Sequence, residues 1–521
     1  MSKISDYRIE KFVSLKDTPN EYVPGKYVTV EADGIDYGDV DTSTSGVSGG
    51  GLNYNYYFDT STSGTLASGT IRLNSDNYPA VSKIDISYYD KDNNDLSDWI
   101  NSWDDSDKSI KGTLTLQSAT KVNKYAMFKL TETLDTTFGS GKDGDVTISG
   151  AVNLNTDTLI AGRSYPDMVA YNVSSVGLAS CQTTETPNGI EAGDAVLLIN
   201  LQGSGNTQTN NVGNYEIFIV DAVVGTTITF KSSKTKNYGD NGGDTNIGTA
   251  TTNQRVMLMR VPQYSSVTVN LGADITCNAW NGTKYGVLAF MCSGLFKHQG
   301  EIDLKEKGYR RTPGYSYSGE SYGHASIGGA TSNLGAGGYP SGGGAYASNG
   351  GGTYGGTAYG VSNLSKLYFG SSGGGSHAYN DDYRGGAGGG IILIQAKEAN
   401  LYGNIYNKGA WGIINSSGGY RKYPGAGAGG SIMLKCNKLT MNSAKIEALG
   451  TDPGSGGSGS DGRIAIYYNA LMDSLSNVSP TPYTDSLTSG ADKIDYNVDW
   501  LNNSGKFDNN EEVIVSYAYN Y

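Results

Sequence analysis

Gly430-Ser431-Ile432-Met433-Leu434-Lys435-Cys436 decides the fold, because the chain repeats its pattern in Gly286-Val287-Leu288-Ala289-Phe290-Met291-Cys292, Gly390-Ile391-Ile392-Leu393-Ile394-Gln395-Ala396 and Gly462-Arg463-Ile464-Ala465-Ile466-Tyr467-Tyr468. Each segment opens on glycine and sets apolar residues two and four positions later. That two-residue period belongs to a strand with a buried face. Three of the segments end on a small residue, Cys292, Ala396 or Cys436, with Tyr468 the exception. Three lead into a short strand centred on Ile302, Ile405 or Ile446, then a further glycine, Gly308, Gly409 or Gly450. A unit this small cannot bury its own apolar face, so the copies are expected to stack edge to edge into a solenoid-like core. Leu288, Ile392, Ile432 and Ile464 are expected side by side within it.

Between the first and second copies, residues 312–389 form a block of Gly, Ser, Ala and Tyr, as in Gly335-Ala336-Gly337-Gly338-Tyr339-Pro340-Ser341-Gly342-Gly343-Gly344-Ala345-Tyr346. Glycine costs about 0.5 to 1 kcal/mol of extra backbone entropy per residue relative to alanine, so side-chain packing alone does not order such a block. Lateral hydrogen bonding in a polyglycine II-like lattice would order it without an apolar core. An insertion between repeats tends to lie on the binding face. The tyrosines punctuating it either display amphipathic rings for contact or pack on neighbouring glycine segments, and both readings stand.

Upstream, alternating segments at Gly69–Leu73, Ser82–Tyr88, Gly112–Leu116 and Tyr125–Leu130 read as half-buried strands, followed by 193–199, 215–220 and 225–230. Leu96–Trp103 supports one or two helical turns at most. The fold class is all-β, with sandwich or barrel-like modules ahead of a glycine-rich repeat domain. The boundaries read as 1–50, 51–142, 143–262, 263–470 carrying the 312–389 insertion, and 471–521.

Composition narrows the function. Glycine supplies 75 of 521 residues and tyrosine outnumbers phenylalanine 39 to 10, which points to aromatic surface that stays wetted. A net charge of -13 without a Lys/Arg cluster argues against nucleic acid. No apolar run approaches the ~18 residues of a membrane span, and the polar Met1–Glu10 is no signal peptide. The chain is therefore expected to be made in a cytoplasm and released by lysis. Cys181, Cys277, Cys292 and Cys436 form no CxxC pair and have no histidine at ligand spacing, so free buried thiols are expected and zinc is not.

The segment Phe12 to Val30, with Leu15-Lys16-Asp17-Thr18-Pro19, Tyr22 and Gly25-Lys26-Tyr27-Val28-Thr29-Val30, resembles a short unit of bacteriophage tail-fibre and other virion appendage proteins. Residues 69–134 resemble a β domain of phage structural proteins through Ile84-Asp85-Ile86-Ser87, Asn94-Asp95-Leu96-Ser97-Asp98-Trp99 and Lys111-Gly112-Thr113-Leu114-Thr115-Leu116. Residues 193–468 are similar to glycine-rich repeat proteins of bacterial surfaces and phage fibres, through Gly193–Ile199, Arg260-Val261-Pro262-Gln263-Tyr264 and Gly462–Ile466. The resemblance implies a virion fibre or adhesin, commonly trimeric, held to other virion proteins by its N-terminal segment. Phe12, Leu15, Pro19, Tyr22 and Tyr27 become the candidate attachment residues. A tail fibre touching host surface polysaccharide or an outer-surface protein is the leading reading, and a head fibre or capsid decoration protein is its neighbour. The resemblance brings no catalytic residue and no cofactor.

For receptor contact the candidates are Tyr315, Tyr317, Tyr322, Tyr339, Tyr346, Tyr354 and Tyr359, with His377 and Arg384 supplying hydrogen bonds. Asp90-Lys91-Asp92-Asn93-Asn94-Asp95 begins like a calcium loop, but Asp95 and Asn101 stand where an EF-hand needs glycine and glutamate, so a turn is expected. His298, His324 and His377 lie in no hydrolase arrangement. A polysaccharide depolymerase is the enzymatic alternative, and it would need facing carboxylates. Asp381-Asp382, Glu301 with Asp303, and the lone Glu320 are the acids near the repeats, and their spacing does not make such a pair.

Overall fold

In the computed structural model the chain is all-β. The structure describes residues 26–31, 34–39, 53–63, 66–101, 103, 112–121, 123–133, 138–204, 208–311, 318–323, 341–375, 384–412, 424–452, 456–487 and 493–519. Two compact units result, Met1–Leu134 with Gly490–Tyr521, and Asp135–Ser489.

The first unit holds a closed barrel in the order Lys493–Ser504, Lys83–Ser87, Thr70–Leu73, Asn53–Asp59, Glu512–Tyr519, Gly112–Ser118, Tyr125–Thr133. The four alternating segments read as strands are all in it. Two strands come from the far end of the chain, and this corrects the boundaries 51–142 and 471–521. Glu512–Tyr519 fills the place between Asn53–Asp59 and Gly112–Ser118, and Lys493–Ser504 joins Lys83–Ser87 to Tyr125–Thr133. Without them the module would split into two sheets with four unpaired strand edges, at Lys83–Ser87, Asn53–Asp59, Gly112–Ser118 and Tyr125–Thr133. The helix Ser97–Asn101 closes the core, where Trp103 stacks on Tyr517 at 4.9 Å and meets Trp99 edge-on at 4.9 Å. A hairpin of Lys26–Glu31 and Gly34–Asp39 precedes the barrel.

The second unit winds as a parallel coil. Long strands stack in the order Asp145–Ile148, Ser266–Val269, Val287–His298, Ile391–Leu401, Ser431–Thr440, Arg463–Met472, Tyr483–Asp485. A second parallel sheet stacks Ala151–Asn153, Asp274–Thr276, Glu301–Asp303, Asn404–Tyr406, Ile446–Glu447 and Val478–Ser479. The register matches the repeat alignment residue for residue: Leu288, Ile392, Ile432 and Ile464 are successive partners, as are Ile302, Ile405 and Ile446. All seven are buried in one core. The coil starts at Asp145 and continues to Asp485, beyond the 263–470 expected for it.

Inside the 143–262 stretch, residues 170–261 form a closed six-stranded antiparallel barrel, order Ala170–Val176, Ser180–Thr183, Thr227–Phe230, Tyr215–Val224, Ala195–Gln202, Arg255–Val261. The apolar run 195–199 is continuous because both of its faces are covered. Val196 and Leu198 point into the barrel, while Ala195, Leu197 and Ile199 pack on the coil. At this joint Arg260, 1% exposed, pairs with Asp143 at 2.6 Å and Asp194 at 2.9 Å. Tyr264 donates to Asp167 at 2.7 Å. The Arg260–Tyr264 motif therefore serves to lock the barrel onto the coil.

Candidate functional site

The connections that follow the short strands Glu301–Asp303, Asn404–Tyr406 and Ile446–Glu447 form a side of the coil made of glycine, and there the backbone does the packing. In the segment 425–430, successive amides donate to different neighbours: Gly425 and Ala428 to Gly374 and Ser371, Ala426 and Gly429 to Gly457 and Ser460, Gly427 and Gly430 to Ala410 and Asn407. The pattern returns every third residue. Three residues per turn is the period of the polyproline II helix, whose amides point outward in three directions. Its carbonyls accept in turn from Gly386, Gly389 and Gly344. A β-strand has two lateral neighbours, and this segment has five. The lattice expected from composition is thus present, yet it is assembled from three successive connections of the coil, those after Glu301–Asp303, Asn404–Tyr406 and Ile446–Glu447. Residues 341–346 and 370–375 are internal layers of it, so the block 312–389 is more than an appended insertion.

The spacing explains the residue type. A Cβ on Gly427 would lie 1.9 Å from the Ala387 carbonyl oxygen, one on Gly386 1.9 Å from that of Ala410, and one on Gly425 1.8 Å from that of Gly342. None of these three glycines adopts a left-handed backbone, so the demand is for close approach alone.

At one end of the lattice the described residues that bound several connections converge. The Ser341 hydroxyl donates to the Gly375 carbonyl at 2.9 Å, the Gly457 amide donates to the Ser341 carbonyl at 2.9 Å, and the Arg311 guanidinium donates to the Trp411 carbonyl at 2.7 Å. A Cβ on Gly412 would touch Pro424 and the Arg384 carbonyl. Trp411 is 65% exposed here, and Tyr354, whose carbonyl abuts Gly342, is 37% exposed. The sequence reading passed over Trp411, a lone tryptophan outside the 312–389 block. The signal for it was its position in Gly409-Ala410-Trp411-Gly412, an aromatic ring among glycine and alanine like the tyrosines.

The candidate tyrosines divide. Tyr346 is fully buried with its hydroxyl 2.6 Å from that of Ser431, and Tyr359 donates to the Phe369 carbonyl at 2.6 Å. With Tyr322 and Tyr368 they form an aromatic cluster, Tyr322 to Tyr359 at 4.5 Å and Tyr346 to Tyr359 at 5.0 Å. Burial pushes the Tyr346 phenol up to about 12. Tyr346 and Tyr359 are interior packing and present no face to a receptor, which corrects their placement among displayed rings. Tyr322 is half-buried, and Tyr354 and Arg384 are exposed. Tyr315, Tyr317, Tyr339 and His377 lie outside the described residues, as do Phe12, Leu15, Pro19 and Tyr22. Tyr27 sits in the N-terminal hairpin opposite Gly38.

Among the acids, Asp381 and Asp382 lie outside the described residues, as does His324. Glu301 and Asp303 alternate with buried Ile302 on the outward face of the short sheet, with Asp274 opposite Glu301. Burial, then repulsion from Asp303 and Asp274, raises the Glu301 carboxyl. Glu320 is engaged by Arg310 at 2.9 Å and by the Trp280 and Gln202 side chains at 3.3 Å. The Asp90 carboxylate accepts from the amides of Asp92 and Asn94 at 2.9 Å, so the segment is a turn. Among the described residues no group of three His, Cys, Asp or Glu is arranged to hold a metal. All four cysteines are free and buried.

No protein-family model matches the chain. No curated protein matches it. Among solved structures it is similar to the tailspike protein gp49 from Pseudomonas phage LKA1 at 11% identity and a TM-score of 0.14, over 66% of this chain and 61% of that one. The match thus spans about three-fifths of that tailspike's length.

Proposed function

We propose that this chain is a structural fibre or adhesin component of a bacteriophage particle, a tail fibre that contacts the host surface through the lattice end. The observation that carries this reading is the lattice itself. A backbone network with five neighbours around one segment is a rigid mount, and rigid mounting lowers the entropy cost of binding by whatever it carries. Trp411, Tyr354 and Arg384 are the described side chains it presents. Tyr315, Tyr317, Tyr339 and His377 join them as candidates on the resemblance to phage fibres and the composition of their block. The same resemblance supports attachment to other virion proteins through residues 12–27 and assembly as a homotrimer.

Immunogold labelling of intact particles separates the tail reading from a head fibre or decoration protein. Signal on the capsid with none on the tail refutes the tail assignment. Replacing Trp411 and Tyr354 with serine is expected to leave folding intact and to weaken adsorption to host cells by about tenfold or more, since exposed aromatic anchors each contribute more than ~1 kcal/mol to interfaces. Release of reducing ends from host polysaccharide, lost in Glu301→Gln or Asp303→Asn, would instead establish a depolymerase.

A further inference from the structure

Where barrel and coil meet, the loop Asn363–Lys366 fills the seam, and its own Lys366 is joined there by Lys236 and Lys435. The Lys236 ammonium donates to the carbonyls of Tyr215 at 3.1 Å and Ser365 at 3.3 Å and lies 4.8 Å from the Tyr215 ring centre. Lys366 donates to the Asn210 carbonyl. Lys435, on the coil strand Ser431–Thr440, lies 5.6 Å from the Tyr467 ring centre. The hydroxyls of Tyr215 and Tyr467 donate to the carbonyls of Leu364 and Asn363, tying both walls to the same loop.

The three lysines are half-buried, yet among the described residues none pairs with a carboxylate. Other partly buried lysines of this unit do: Lys142 with Asp194 at 2.9 Å, Lys234 with Asp244 at 2.6 Å, Lys284 with Glu185 at 3.1 Å. Glu216 stands close enough for its charge to favour the Lys236 ammonium, but the oxygens of the nearby acids are occupied by other donors. Glu216 accepts from the Thr235 amide and hydroxyl, the Lys236 amide and the Tyr238 hydroxyl, and Asp485 accepts from the Tyr483 hydroxyl and the Ser486 amide. Gathering ammonium groups in a seam opposes folding unless an anion joins them. Burial, then the charge of Lys236, holds both Lys366 and Lys435 below the usual ammonium range. Beside them Tyr467 and Tyr483 pair with ring centres 5.9 Å apart, which places apolar ring surface next to the charge.

We propose that the seam at Lys236, Lys366 and Lys435 binds the anionic group of an acidic saccharide, its sugar ring resting on the tyrosine pair. This site uses none of the residues of the lattice end and stands independently of it. The full chain, titrated calorimetrically with an oligogalacturonate, should bind it and lose affinity as salt rises. Maltotriose, the neutral counterpart, should not bind. Lys435→Met should weaken oligogalacturonate binding by about tenfold, one charge-assisted contact. The same variant, free of ligand, should unfold at higher urea than the parent, because it removes an uncompensated charge and keeps the apolar stem. A purely structural lysine would show the opposite shift. If Lys435→Met fails to fold, Lys366→Met tests the same two readouts. Absence of oligogalacturonate binding, or affinity unchanged in both variants, overturns the proposal. Inorganic phosphate binding as tightly as the oligogalacturonate overturns the saccharide assignment.

Discussion

Gly427→Ala adds one methyl group at the centre of the lattice, and the structure gives its cost. The new carbon would lie 1.9 Å from the Ala387 oxygen and 2.5 Å from its carbonyl carbon, where ordinary contact needs about 3.4 Å, so two backbones must part by more than an ångström. The Gly427 amide bond to Ala410, 2.9 Å long, and the flanking bonds of Ala426 and Ala428 depend on that spacing. Each buried hydrogen bond left unmade costs about 1–3 kcal/mol, and overpacking alone costs about 1–3 kcal/mol. Overpacking together with the loss of one or two such bonds predicts roughly 2–9 kcal/mol. Gly150→Ala is the control, because nothing lies within 4 Å of its Cβ and its φ is not in the left-handed region, and it should be neutral or stabilise by up to about 1 kcal/mol. Urea midpoints followed by circular dichroism, with amide exchange at 425–430, compare the two. Equal midpoints for the two variants would refute backbone close-packing as the organising force of this region.

Other outcomes follow from the coil. Ile394, 1% exposed between Phe290 and Leu434 in the ladder, should not tolerate aspartate, and Ile394→Asp or Leu434→Asp is expected to abolish soluble expression. His298 is fully buried between Val269 and Leu401, and burial pushes its imidazole down to about 4. Between the unfolded value near 6.5 and that folded value the unfolded chain binds the extra proton, so stability should fall by about 3 kcal/mol as pH drops across this window. His298→Leu should remove that slope, as read from urea midpoints at several pH values. Burial raises the thiols of Cys277 and Cys436 to about 12 and that of Cys292 to about 11; all three should react with thiol reagents only on unfolding, at rates followed by mass spectrometry.

The coil was legible because a two-residue period, a leading glycine and a fixed phase recur close enough to align, and the pairing of Leu288 with Ile392 follows from that phase. The lattice was legible as a possibility, since glycine density limits how a backbone can be ordered. The positions of individual rings within it were not: Tyr346 and Tyr354 both stand beside glycine or alanine, yet one is sealed against Ser431 and the other faces water. Burial there depends on which glycine segments stack, and glycine carries no phase. Strand pairing across the whole chain, as between Val513 and Tyr56, left no local mark either, because alternation reports a buried face and says nothing of the neighbour.

The closure of the first barrel by Lys493–Ser504 and Glu512–Tyr519 ties its completion to strands made long after the rest of it. Strands up to Tyr125–Thr133 leave the ribosome early and must wait, with open edges, while the 355 residues of Asp135–Ser489 are made. At about 5–20 residues per second that interval is on the order of tens of seconds, long enough for the coil to wind behind them. A chain cut short within Lys493–Ser504 or Glu512–Tyr519 would have a finished coil and an open first barrel. Such a product is marked by its own unpaired edges for aggregation or proteolysis, so only translation through Glu512–Tyr519 yields a sealed first unit.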